Sequence, residues 1–232
     1  MAFLSIMHEA DTAAGALTER WHQLLTDIPA GKHRSRLARA LLLDLSNGAI
    51  GAGATRWTLH KEPSGRPVLR GDSDDLAPSV SMTHSGGWVA CALASEGEIG
   101  IDLEVARPGR DWRGIATACF GPLEIGRVEH EGVGAFYRIW SLREAMAKAT
   151  GHGLSQLTDR RDRAEQGPAT GIWSCRIDDS RWQLAHDRHG GEFNLAVAIK
   201  PGDGLMDGNG IELNWWHLPS KLQMMRFSES AR

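Results

Sequence analysis

Apolar positions change their period several times along the chain, and each change marks an element. Phe3 to Met7 is a short apolar run and reads as a buried strand. After a cap signal at Asp11 and Thr12, Ala13 to Asp27 carries apolar residues at helical spacing, and Pro29-Ala30-Gly31 breaks the pattern. From Lys32 to Leu45, Leu37, Leu41 and Leu45 share one face while Arg34, Arg36 and Arg39 lie on the others, which predicts an amphipathic helix with a basic end. Thr55 to His60 reads as a strand, and Lys61 to Pro67, "KEPSGRP", as a turn built from Pro and Gly.

Ser79 to Ser85 and Trp88 to Ala94, joined across Gly86-Gly87, predict a β-hairpin, and "GEIGIDLEV" predicts a third strand after a tight turn at Glu96-Gly97. Further on, the pattern predicts helices at Trp112 to Cys119, from Pro122, and at Val133 to Thr150, the last stopped by Gly151. Strands follow at Ile172 to Ile177, Trp182 to His186 and Phe193 to Ile199, and the segment from Gly202 reads as a loosely attached tail. Both halves mix helices with short strands, so the expected class is α+β in two similar-sized lobes. The expected divisions are residues 1–96, 97–202 and a tail at 203–232.

Composition narrows the picture without naming a chemistry. A length of 232 residues supports a sizeable core, and 41% hydrophobic with 24% charged residues is ordinary globular usage. A formal net charge of −3 gives no global case for nucleic-acid binding. Three widely spaced cysteines, Cys91, Cys119 and Cys175, fit reduced thiols better than a disulfide framework, which makes the cytoplasm the expected compartment. The first ten residues lack the pattern of a secretory leader, and no apolar run approaches the ~18 residues of a membrane span.

Asp102 and Glu104 sit two apart in a strand, so both carboxylates point the same way while Ile101, Leu103 and Val105 face the core. Such a pair is either a solvated strand face or a pair of oxygen donors suited to Mg²⁺. In "WSLREAMAKATGHG", Trp140, Glu144 and Lys148 are four apart and share a helix face, with Arg143 one step off it. Glu144 and Lys148 are either a surface ion pair or a third oxygen ligand beside a phosphate clamp. In "SMTHSGGW", His84 ends a strand between the hydroxyls of Thr83 and Ser85, and "EPSGRP" holds Arg66 in a rigid turn.

Taken together and in this order, these elements resemble the 4′-phosphopantetheinyl transferase superfamily, in particular its two-lobed type acting on carrier proteins of peptide and polyketide synthases. Members carry a Gly-Lys-Pro-like turn, a Ser-His-Ser strand end, a Gly-Ile-Asp-x-Glu strand and a Trp-x-x-Lys-Glu-Ala-x-x-Lys helix. Here Gly65-Arg66-Pro67, Thr83-His84-Ser85, Gly100 to Glu104 and Trp140 to Lys148 match them. The resemblance runs from about Arg34 to Gly153. Arg143 and Arg66 stand where the family has lysine, and the N-terminal helices lack its upstream basic run.

The resemblance implies two similar lobes related by a pseudo-twofold. It implies that Asp102, Glu104 and Glu144 hold Mg²⁺ against the pyrophosphate of coenzyme A, with Lys148 on the same phosphates. It places Arg34 and His84 at the 3′-phosphate, Arg66 near the adenine, and Thr83 among the residues that bind coenzyme A. The implied reaction moves the 4′-phosphopantetheine arm of coenzyme A to a serine of an apo acyl or peptidyl carrier protein, releasing 3′,5′-ADP. Glu144 is the first candidate for the base, and Glu124 in "FGPLE" the second. Carrier proteins of this kind are acidic, so Arg110, Arg113 and Arg127 are candidates for a basic rim, and a monomer without nucleic-acid or membrane partners is expected. The alternative is a non-catalytic coenzyme A or carrier-protein binding module of the same fold.

Overall fold

The computed structural model describes residues 2–12, 33–49, 57–72, 77–162, 165–166, 172–177, 179–202 and 213–217. The helix expected over Ala13 to Asp27 lies outside them. The chain divides into two compact units, Met1–Ile99 with Pro201–Arg232, and Gly100–Lys200. Among the described residues no helix is long and apolar enough to cross a membrane.

In the first unit, strand β1 (Ala2–His8) runs into a 3-10 turn at Glu9–Thr12, and helix α1 (His33–Ala49) follows. Strands β2 (Thr58–Lys61) and β3 (Pro67–Arg70) form a small hairpin, closed by bonds between Glu62 and both Gly65 and Arg66. The sequence reading missed β3, because four residues are too few to display an alternation. Strands β4 (Ser79–Ser85) and β5 (Trp88–Ala94) form the expected hairpin, with Gly86 and Gly87 both at positive φ, as a type I′ turn requires.

The four-stranded sheet of this unit runs β11-β1-β5-β4, where β11 is Leu213–His217. This last strand pairs in parallel with β1 in a segment the sequence pattern assigns to a tail. Leu37, Leu41, Leu42 and Leu45 of α1 pack with Val80, Val89, Cys91 and Leu93. Burial of that leucine face is what holds the helix to the sheet, at roughly 1.5 to 3 kcal/mol per fully buried side chain.

The second unit is built on a five-stranded sheet in the order β6-β10-β9-β8-β7. Its strands are β6 (Glu98–Glu104), β7 (Glu165–Gln166), β8 (Ile172–Ile177), β9 (Ser180–His189) and β10 (Phe193–Lys200). Helices α2 (Trp112–Cys119), α3 (Pro122–Glu131) and α4 (Val133–Thr150) lie between β6 and the rest of the sheet in the sequence. Gly151 ends α4 in the left-handed conformation, as its position predicts. Leu142, Ala145, Met146 and Ala149 of α4 pack on Trp182, Leu184, Ala196 and Ala198. On its N-terminal half, Phe136, Tyr137 and Ile139 pack with Phe120, just past the end of α2, and Val128 of α3. The architecture is therefore α+β, with mostly antiparallel sheets and α4 as the spine of the second unit.

Candidate active site

The acids of the second unit meet where α4 crosses β6, the edge strand. Ile101 and Leu103 are buried, as the alternation predicts, and Asp102 is buried too, at 4% exposure. That excludes a solvated strand face for Asp102. A buried carboxylate is costly without a partner, and Lys148 Nζ donates to Asp102 Oδ1 at 2.7 Å.

Gly100 makes this pairing possible. A Cβ there would collide with the carbonyl oxygen of Ala145 and stand 2.9 Å from Ala149 Cβ. Helix and strand thus approach this closely because position 100 has no side chain. Glu144 and Lys148 each precede one of those two alanines, so the same contact sets how deep both stand.

Glu104 Oε1 lies 3.4 Å from Arg110 Nη1. Arg110 belongs to the loop after β6, and Tyr137 Oη accepts the Arg107 N–H in that loop at 2.8 Å. Glu144, half-buried on α4, has its carboxyl held above the ordinary range. Burial is the main cause and the charge on Asp102 the next; Lys148 opposes, Glu104 adds to the rise, and Arg110 opposes it. Three acids and two cations therefore act on one another here. Among the described residues no three His, Cys, Asp or Glu side chains are grouped so that they could hold a metal ion; Lys148 stands on Asp102 and Arg110 on Glu104.

Arg143, the neighbour of Glu144, is engaged differently. Its Nε and Nη2 donate to Glu124 Oε2, the former at 3.1 Å, and further bonds reach the carbonyls of Leu157, Asp159 and Arg161 at 3.4, 2.8 and 2.8 Å. Glu124 also accepts the Gly121 N–H at 3.2 Å, and Asp162 accepts those of Glu124 and Leu123 at 2.9 and 3.3 Å. Two carboxylates thus cap the N-terminus of α3, where the helix dipole favours them. Both side chains of the Arg143–Glu124 pair are buried, at 2% and 5% exposure. Sequence spacing gave no sign of this lock, whose partners are 19 residues apart.

The remaining expected residues lie in the other unit. Arg34 makes two bonds to Glu9, at 2.8 and 2.9 Å, on the exposed side of α1. Arg66 Nη2 donates to Ser79 Oγ at 3.3 Å. Thr83 is buried and His84 exposed on β4, on opposite faces as strand alternation dictates. Of the three arginines expected on a rim, Arg113 is exposed and lies 4.0 Å over the Trp112 ring, Arg127 is half-buried, and Arg110 is turned toward Glu104.

Residues 98–198, nearly the whole of the unit that carries the acids, match the profile of the 4′-phosphopantetheinyl transferase superfamily. Residues 98–198 therefore carry the domain of that superfamily. The 4′-phosphopantetheinyl transferase HetI of Nostoc is 28% identical over 57% of this chain and 57% of its own length. The 4′-phosphopantetheinyl transferase of Bacillus subtilis is 29% identical over 53% of this chain and 54% of its own. AcpT of Escherichia coli, a transferase of the same name, is 36% identical over 33% of this chain and 42% of its own. Across eight curated relatives, the match spans from 39% to 66% of their length. The family therefore agrees with the one the four motifs resemble, and its profile falls on the unit where Asp102, Glu104, Glu144 and Lys148 stand.

Proposed function

We propose that this chain transfers the 4′-phosphopantetheine arm of coenzyme A to a serine of an apo acyl or peptidyl carrier protein. The observation that carries this reading is the Lys148–Asp102 pair beside Glu104 and Glu144, inside the region that matches the family. In the reaction the serine oxygen forms a bond to the β-phosphorus of coenzyme A. The bridging bond from that phosphorus to the nucleotide breaks, and its electron pair leaves on 3′,5′-ADP.

The acids fit Mg²⁺. That ion takes oxygen ligands and is held by one or two carboxylates with waters and substrate phosphates, so a complete ligand set is not required of the protein alone. Burial is the main reason the Glu144 carboxyl is raised, and the repulsion from Asp102 and Glu104 that adds to it is of the kind a divalent cation relieves. Asp102, Glu104 and Glu144 would hold it, and its contribution would be to neutralise pyrophosphate charge.

Lys148 exchanges Asp102 for a phosphate oxygen and stabilises charge moving onto the leaving nucleotide. Glu144 takes the serine proton, because it shares a helix face with Lys148 and stands beside the phosphates that Lys148 would bind. Glu124 is a poorer candidate, since its carboxylate is buried in bonds to Arg143 and to the cap of α3. Assignment of Arg34 and His84 to the 3′-phosphate, of Arg66 to the adenine and of Thr83 to coenzyme A rests on the motif resemblance.

The test is the intact mass of a purified apo carrier protein incubated with this chain, coenzyme A and Mg²⁺, with and without EDTA. A gain of one phosphopantetheine group that EDTA abolishes is expected. Binding of coenzyme A with no gain on any of several carriers would make the chain a non-catalytic module.

A further inference from the structure

Among the charged groups that act on Glu144, Arg110 is the one that the resemblance leaves without a part in the chemistry. Its guanidinium lies over three rings of α4, those of Phe136, Tyr137 and Trp140, at 5.3, 5.6 and 5.0 Å from their centres. The side chain is 16% exposed, so the charge is largely withdrawn from water. Nη1 is fully enclosed and makes no hydrogen bond, yet stands 3.4 Å from Glu104 Oε1. A surface arginine paired with a carboxylate would be free to swing; this one is held on a ring platform that fixes where its charge sits. The Tyr137 hydroxyl holds the same loop by its Arg107 N–H.

We propose that Arg110 is a positioning residue, which uses the aromatic ledge of α4 to hold the Glu104 carboxylate oriented toward a divalent cation. The inference rests on the reading of these acids given under the proposed function. Its logic follows from the two cations of the cluster. Lys148 is 31% exposed, at the end of a flexible stem, and can leave Asp102 for a phosphate. Arg110 lies against three rings of one helix and stays. Partners of this kind, one step behind a ligand, commonly change metal affinity by about 10- to 100-fold when removed.

Sign makes the idea testable. Removing a positive charge beside a cation site should tighten divalent binding if Arg110 acts only through its field, and weaken it if Arg110 orients Glu104. Mn²⁺ binding to the full chain, followed by calorimetry and by the loss of the free-ion paramagnetic resonance signal, reads this without turnover. Arg110→Met, which keeps the apolar stem against the rings, is expected to bind Mn²⁺ about 10-fold more weakly. Arg110→Lys restores the charge without the planar fork and is expected to fall between the two. Coenzyme A binding without metal should be unchanged.

Affinity in Arg110→Met equal to or tighter than that of the parent would overturn the proposal. If that variant does not fold, Arg110→Lys decides by the same criterion, weaker binding supporting the proposal and equal or tighter binding overturning it. A parent chain that binds no Mn²⁺, with or without coenzyme A, would sink the metal reading and this inference with it. Normal binding in the parent with no loss in the variants would sink the inference alone.

Discussion

Two neighbouring residues of α4 belong to opposite kinds of polar cluster. Arg143 enters a closed lock, in which one buried arginine satisfies a buried carboxylate and three carbonyls. Glu144 enters an open one, where three acids share two cations and its own carboxyl is held above the ordinary range. The first arrangement has its charges balanced and its donors used; it fixes structure. The second retains an uncompensated negative charge next to a partly exposed lysine, which is the condition for taking up a cation and an anionic substrate together. Charged residues alone do not distinguish the two, and the degree of satisfaction does.

The largest effects should come from the open cluster. Asp102→Ala removes the partner of Lys148 and a proposed oxygen ligand, and transfer should fall by about 10³-fold or more, a loss of about 4 kcal/mol in transition-state stabilisation. Transfer rates at saturating coenzyme A, with Mg²⁺ titrated, check this; an unchanged metal requirement would speak against the shared site.

Next is the closed cluster, where the effect should fall on stability. Arg143→Ala leaves Glu124 buried without its counter-ion and should cost about 3 to 5 kcal/mol. Denaturant unfolding measures it. Arg143→Lys should cost less, since it keeps the charge but cannot span Glu124 and three carbonyls. An Arg143→Ala variant as stable as the parent would end the distinction between the clusters.

Gly100→Ala tests the contact between β6 and α4. It should destabilise by about 1 to 3 kcal/mol, the usual cost of overpacking, and also reduce transfer, because Glu144 and Lys148 would move with the displaced helix. Loss of stability with transfer fully kept would show that the close approach does not set the site.

A comparable but pH-dependent effect belongs to His186 on β9. Burial is the main reason its pKa falls from 6.5 to about 4, partly offset by a hydrogen bond with Asn194. Between those two values the unfolded chain binds a proton that the folded chain does not, so stability falls as pH drops from 6.5 toward 4 and levels off below. The span is up to about 3 kcal/mol before discounting for water at the ring. Thermal unfolding against pH should show this slope, and His186→Gln should flatten it; an equal slope in the variant would assign it to other groups.

How much of this was legible in the sequence depended on whether the signal was local. The Gly86-Gly87 hairpin, the Gly151 stop and the shared face of Trp140, Glu144 and Lys148 follow from turn chemistry and helical period, and the structure has them at those positions. Strand β11 was invisible, because it depends on pairing with β1, more than two hundred residues earlier. The role of Gly100 could not be read either, since the need for a missing side chain arises only when α4 crosses the strand. Arg143 illustrates the same limit. Its substitution for lysine was visible, while its four acceptors, contributed by Glu124 and by residues 157 to 161, come together only in the folded unit.

The central claim is that the open cluster carries the chemistry, with Glu144 at its centre. The most direct measurement is the intact mass of an apo carrier protein after incubation with coenzyme A, Mg²⁺ and Glu144→Gln, alongside the melting temperature of the variant. The account predicts a carrier that stays at its apo mass and a variant as stable as the parent or slightly more so, since the substitution removes a crowded charge. A carrier converted as completely and as fast as with the parent chain would contradict it.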